Sequence, residues 1–395
     1  MQRNDFQCDR TTGRPQLNQY SSRKYEITSC SIDKSKDLLK IRWQDGLESH
    51  YSNVWIDEQV DRLIHFKEKK GKVKRKPWFG LTEQHVRDSD MTLPFDHVLH
   101  DDQSHAIRAL HTHGILLVTG TPINDPDGGS AAIAALAASL SGGAVKSRGS
   151  SLLPQYQPSQ GGDIVLRDGT DGPLRTLYGT VWSTRAASQT DGASTADSAY
   201  SNDALPLHTD MTYHANPPGL QIFTMVQPAI SGGESVFGDG LYCAERLRHE
   251  YPQAFATLTK VPRVFRCIDY TTGWHLEATG PMIQLGLDGT SIVAIRHNDL
   301  DRLPDVPVGA CCEDGMYERL NEAHAAWDAI LADDDTRLVL RLQPGDTVVV
   351  ANQRCFHGRH SFETTESAPR TVMGCYVSQD ELDSRFRMLG LEVAS

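Results

Sequence analysis

The chain has 395 residues, 39% of them apolar, and a formal net charge of −12. That length allows one large domain and one small one, and that apolar share can fill a core. The acidic balance argues against a nucleic-acid partner, and no apolar run approaches the ~20 residues of a membrane helix. The 8 cysteines include no Cys-x-x-Cys pair, the pattern of reduced thiols in an intracellular protein. The first thirty positions lack the apolar centre of a secretory signal. Arg3, Arg10 and Arg14 suit a mitochondrial presequence and Asp5 and Asp9 do not, so the cytoplasm is expected, with the mitochondrion as alternative.

Residues 1–24 are polar and read as a flexible tail. Residues 27–32 and 38–43 alternate like strands, with Gln44-Asp45-Gly46 as a turn. They open a small N-terminal β-domain, placed at 25–95. The basic run Lys67 to Lys76 reads as a solvated hairpin tip. In the main domain, 96–395, Ala106, Ile107 and Leu110 fall at helical spacing, glycines bound a strand between Gly114 and Gly120, and 130–140 is an alanine-rich helix. From 141 to 172 Gly, Ser, Gln and Pro take over, as in a low-complexity insertion that is disordered or a surface loop. Strands are expected at 219–226, 264–268, 282–286, 292–295, 347–350 and 371–377, with a turn at 231–234. Helices are expected at 240–248, 252–258, 318–331 and 379–391, the third burying Leu320, Ala323, Trp327 and Leu331. Many short strands with flanking helices predict a mainly β fold, a double-stranded β-helix or jelly roll, which binds ligands inside.

His208 and Asp210 sit two apart. In an extended segment both project to one side. An imidazole and a carboxylate so placed can fill adjacent positions on one metal ion. A third ligand from a distant strand then leaves the opposite face open, the two-histidine, one-carboxylate arrangement of non-haem iron oxygenases. The spacing alone does not discriminate, because His100 and Asp102, His297 and Asp299, and His275 and Glu277 repeat it. The discrimination comes from downstream. Pro344-Gly345-Asp346 is a turn, a β-branched run follows, then His357, then Arg370 directly before another strand.

These residues resemble the 2-oxoglutarate- and Fe(II)-dependent oxygenases of carnitine synthesis, from about 174 to 391 and more weakly near the N-terminus. Two branches compete, trimethyllysine dioxygenase and γ-butyrobetaine dioxygenase. The resemblance implies Fe(II) on His208, Asp210 and His357, and Arg370 on the distal carboxylate of 2-oxoglutarate. O₂ is the second cosubstrate and ascorbate the reductant. A planar guanidinium suits a carboxylate through two parallel hydrogen bonds. The resemblance also implies a cage of Tyr178, Trp182 and Tyr200 around a quaternary ammonium. Such a cation donates no hydrogen bond and is held by ring faces. Asn298 and Tyr376 are further substrate candidates. Asp197 would face the α-ammonium that trimethyllysine has and γ-butyrobetaine lacks.

The expected reaction is hydroxylation of Nε-trimethyllysine at C3, the first step of carnitine biosynthesis, releasing succinate and CO₂. Hydroxylation of γ-butyrobetaine, a non-catalytic barrel that binds methylated lysine, and a zinc hydrolase on the same three ligands are the alternatives. Three positions depart from the family's pattern: Gln353 where tryptophan is usual, Ala351 where an acid is usual, and Thr224 where histidine is common. Some relatives bind structural zinc in the N-terminal domain through cysteines. Here Glu58-Gln59-Val60 stands at that point, so no zinc site is expected. The partner is a small quaternary-ammonium amino acid, without nucleic acid or membrane, and the family allows a homodimer.

Overall fold

Alternation near the start of the chain becomes a three-stranded antiparallel sheet of Ile27–Asp33, Leu38–Trp43 and Glu48–Ser52. Ile41, Trp43 and Tyr51 form its small core, with Trp55 and Ile56 against it. The computed structural model describes residues 26–44, 46, 48–57, 71–101, 103–124, 129–141, 156–158, 164–166, 173–174, 176–177, 180–185, 201–270, 273–306, 314–365 and 369–393. The chain divides into two compact units, Met1–Gly71 and Lys72–Ser395. Leu93 and Phe95 belong to the core of the second.

The second unit is built on two sheets. Among the described residues the larger has six strands, in the order Thr92–Pro94, Ile115–Thr119, Thr347–Ala351, Leu220–Gln227, Thr371–Val377 and Val181–Arg185. The smaller has four, in the order Leu205–His208, Cys355–Arg359, Ser235–Asp239 and Leu338–Leu340. Side chains alternate along each strand of the larger sheet, so each face has its own cover. Ile115, Leu117, Phe223, Met225, Val348, Val350 and Val372 pack towards Phe237, Leu338, Leu340 and Cys355 of the smaller sheet. Leu116, Val118, Leu220, Ile222, Val349, Cys375 and Val377 pack instead on helices Gln103–His113 and Ser130–Leu140. This is the two-sheet jelly roll that the strand pattern predicts. A third cluster joins helices Gly240–Glu250, Pro252–Lys260 and Met316–Ala332, with Trp327 fully buried. Leu320, Ala323 and Leu331 are buried beside it, the face that the helical spacing selects.

Several segments differ from expectation. The last helix is Gln379–Met388, begun by a Ser378/Glu381 capping box. Gly390 then takes φ 67° and the chain turns into the strand Leu391–Val393, so the helix does not reach 391. Ser231–Gly232 is not a free turn: it pairs with Phe362–Glu363. Inside the expected insertion, Tyr156–Pro158 and Ile164–Leu166 pair antiparallel, and its other positions lie outside the described residues. So do the 1–24 tail and Lys67, Lys69 and Lys70 of the basic run. In the described part of that run Lys74 and Lys76 are exposed, as expected of a solvated stretch, but Val73 is core and Arg75 Nη1 donates to the Ile292 carbonyl at 3.0 Å. No helix among the described residues is long and apolar enough to cross a membrane.

Candidate metal centre and its cavity

Strands Leu205–His208 and Cys355–Arg359 are neighbours, and His208 stands directly opposite His357 in their register. Their imidazole centroids are 4.3 Å apart. Asp210 follows in the turn after the first strand. Its Oδ1 lies 3.4 Å from His208 Nε2 and 3.5 Å from His357 Nε2. Two donors each about 2.1 Å from one ion, at right angles, stand roughly 3 Å apart. The three side chains therefore have the spacing of ligands to a single ion, and all three ligand atoms fall within 4.8 Å of one another. His208 Nδ1 meets the Pro206 carbonyl at 2.8 Å, which places the proton on Nδ1 and leaves the Nε2 lone pair for a metal. Two imidazoles and one carboxylate suit Fe(II). The residues present fit that ion.

The turn at Asp210 is tightly held. Met211, buried, takes φ 54°, a left-handed conformation that a non-glycine residue adopts at a cost. Asn352, fully buried, accepts from the Asp210 backbone N–H at 2.7 Å and donates to the Asp210 and Pro218 carbonyls at 3.0 and 3.1 Å. Thr209, between the ligands, bonds the backbone of His297 in both directions. Asp210 Oδ2 accepts from the Tyr376 hydroxyl at 2.8 Å and from the Gln221 amide.

Charge follows this geometry. Burial opposes ionisation of Asp210, yet the facing His357 and His208 hold its carboxyl well below the usual range. Burial also opposes a charge on His208, but its bond to Asp210 outweighs burial and raises it. For His357 burial wins and the imidazole is lowered. Burial, then the neighbouring Asp210 charge, pushes the Tyr376 phenol far up, so it remains a donor.

The site opens into a cavity of about 640 Å³, which Arg370, Arg359, Trp182, Tyr376, Asn298 and His297 also line. Arg370 is 5% exposed, and its Nε has no partner among the described residues. Its Nη2 donates to the Gly233 carbonyl at 3.5 Å, at the limit of a hydrogen bond. Burial, with the Arg359 charge beside it, pushes the guanidinium down to about 10, still protonated at neutral pH. Both guanidiniums lie over the Phe362 ring, Arg359 at 4.7 Å and Arg370 at 5.3 Å from its centroid.

Trp182 reaches the cavity because Gly374 stands opposite it in the register, where any Cβ would collide with the indole. The indole tilts over Tyr376 at 6.0 Å between centroids. Asn298 lines the cavity, with its Oδ1 accepting from the Leu300 N–H at 3.0 Å. Tyr178, Asp197 and Tyr200 lie outside the described residues. The three departures do not reach the cavity. Thr224 joins a buried hydroxyl chain with Thr347 and Thr121 at 2.6 and 2.7 Å, Gln353 donates to the Pro217 carbonyl at 2.7 Å, and Ala351 closes its strand. Sequence reading missed Gln221 and Asn352. A polar residue among the apolar positions of 220–226 was the signal for the first.

The site is that of a mononuclear iron oxygenase, and the chain belongs to the TauD/TfdA family: the model described as taurine catabolism dioxygenase TauD, TfdA family, matches residues 79–376. Trimethyllysine dioxygenases named as mitochondrial, from Gallus gallus and Homo sapiens, are each 30% identical over 221 residues, 55% of this chain and 49% of theirs. The chain thus spans about half the length of those relatives. γ-Butyrobetaine dioxygenase of Pongo abelii is 26% identical over 374 residues, 92% of this chain and 82% of that one. Among solved structures, PvcB of Pseudomonas aeruginosa covers 73% of this chain and 86% of its own, at 16% identity and a TM-score of 0.45.

Proposed function

We propose that the chain is an Fe(II)- and 2-oxoglutarate-dependent dioxygenase that hydroxylates Nε-trimethyllysine at C3. One observation carries the oxygenase reading: His208, His357 and one oxygen of Asp210 converge at the floor of a cavity whose wall carries the poorly partnered guanidinium of Arg370. Bound iron with 2-oxoglutarate supplies O₂ activation, in which one oxygen atom enters succinate, CO₂ leaves, and the other atom becomes the new hydroxyl. The protein's own residues do the binding. Arg370 takes the distal carboxylate of 2-oxoglutarate, an anion that compensates a buried cation. Trp182 offers a ring face to a trimethylammonium, worth about 0.5–2 kcal/mol. The cavity's wall is largely apolar with polar groups set in it, the lining usual for a small-molecule site. Ascorbate, as reductant of the iron, belongs to the same proposal.

The trimethyllysine choice draws on the 30% identity with trimethyllysine dioxygenases and on Asp197, an acid three positions before Tyr200 that can pair with an α-ammonium. γ-Butyrobetaine is the second reading, favoured by the 92% coverage of this chain in the Pongo abelii relative. Incubation with Fe(II), ascorbate and 2-oxoglutarate, followed by mass spectrometry of both candidates, decides between them. Trimethyllysine should gain one oxygen, with one succinate formed per product. Faster turnover of γ-butyrobetaine would overturn the substrate assignment, and absence of succinate with either would count against the oxygenase. Asp197→Asn should raise KM for trimethyllysine while succinate formation remains coupled.

A further inference from the structure

We infer that Gln221 and Tyr376 are positioning residues that hold Asp210 to a single metal-facing oxygen. This rests on the metal-centre reading above and adds the device that shapes it. Gln221 and Tyr376 are register partners on adjacent antiparallel strands of the larger sheet, so their side chains leave the same face side by side. Both donate to the same atom, Asp210 Oδ2. At the other end Asn352 fixes the residue's backbone. The carboxylate is thus pinned at its main chain and at its outer oxygen, and Oδ1 alone is turned to the two histidines.

The consequence concerns the number of open positions. A six-coordinate ion with three protein donors keeps three positions, two for a chelating oxoacid and one for O₂. A second oxygen from Asp210 would take one of them. With two donors engaging its lone pairs, Oδ2 is poorly placed to turn towards the ion. Tyr376 lines the same cavity and touches Trp182, so one residue links the metal carboxylate to the aromatic wall. Its action on the ion passes through Asp210.

The test uses the full chain, metal-free and then titrated with Co(II) alone, for the wild type, Tyr376→Phe, Gln221→Leu and the double variant. Each single change should weaken Co(II) binding several-fold, and the double change by about 10–100-fold, the effect usual for groups that orient a ligand. The second readout is infrared, with ¹³C-labelled aspartate carboxyls. The gap between antisymmetric and symmetric carboxylate stretches should be wide in the wild type and narrow in the double variant, as one-oxygen ligation gives way to two. A merely structural role would weaken binding without moving that gap, so an unchanged gap overturns the inference. Should the double variant not fold, Tyr376→Phe decides alone, since it keeps the ring. A wild-type chain that takes up no Co(II) overturns the metal centre too, which separates the two failures.

Discussion

Two carboxylates in the same barrel have opposite surroundings. Asp239 is fully buried and fully engaged. Its Oδ1 accepts from the Leu241 N–H at 3.0 Å and from Arg354 Nε at 3.1 Å, and its Oδ2 from Arg354 Nη2 at 2.8 Å and the Trp78 N–H at 3.1 Å. It caps helix Gly240–Glu250 and ties that helix to the strand end at Cys355. Asp210 has the same charge but divides its partners between its two oxygens. Its outer oxygen has two donors, and its inner oxygen faces His208 Nε2 at 3.4 Å and His357 Nε2 at 3.5 Å. A carboxylate closed on all sides by fixed donors stabilises the fold; one whose inner oxygen faces two imidazole nitrogens has the arrangement of a metal ligand.

The comparison breaks if the two residues fail the same way. Asp210→Asn should lower succinate formation by on the order of a thousandfold, since it removes the one anionic ligand of three. Its metal-free unfolding free energy should fall, because the pairing with His208 and His357 is lost, but by less than in the Asp239 variant, because an amide keeps the shape. Asp239→Ala should do the reverse. A buried guanidinium without its partner costs roughly 3–5 kcal/mol, read as a lower urea midpoint. The molecules that remain folded should bind Co(II) as the wild type does. Equal loss of metal affinity in both variants would mean that Asp239, too, acts on the site.

The ligand side of this contrast was legible in the sequence and the cap side was not. His208, Asp210, His357 and Arg370 form a four-part pattern with turn and strand signals, and the family resemblance implied their roles; the register of two strands is what sets His208 opposite His357. Ser235–Asp239 lacks alternation, because all five residues are buried in a strand flanked on both sides, and a glycine interrupts it. Asp239 therefore read as nothing. Leu338–Leu340 and Val181–Arg185, strands of three and five residues at sheet edges, were too short to show a period. Gln221 was hidden for another reason. Its meaning depends on Tyr376, far along the chain, and only the register of two strands makes them neighbours. Within the basic run, charge alone does not reveal that Arg75, unlike the exposed Lys74 and Lys76, finds a backbone carbonyl.

A parallel contrast holds for two arginines and predicts a smaller effect. Arg354 spends its guanidinium on Asp239 and on the carbonyls of Lys76, His111 and Thr112. Arg370 keeps its Nε without a partner among the described residues. Arg370→Lys retains charge and loses the planar fork, so KM for 2-oxoglutarate should rise about tenfold, roughly 1.4 kcal/mol. KM for the amine substrate should stay within about twofold. An unchanged KM for 2-oxoglutarate would move the cosubstrate to another cation of the cavity, with Arg359 next to be tested.

A third buried arginine has a neutral partner, and it predicts the smallest effect. Arg263 Nη1 meets His324 Nε2 at 2.8 Å, so the imidazole accepts and carries no charge there. Burial first, and the charges of Arg302 and Arg263 after it, push His324 down to about 3. The folded state therefore refuses a proton that the unfolded chain takes up near pH 6.5. Stability from this group is complete above that pH and is lost as pH falls towards 3. The slope is at most about 1.4 kcal/mol per pH unit. His324→Gln preserves the acceptor without the titration. Denaturant unfolding of the metal-free protein between pH 7.5 and pH 4 should then show a shallower decline in the variant. Parallel declines would mean that His324 titrates alike in both states, and that Arg263, unlike Arg354, is not held by its side-chain partner.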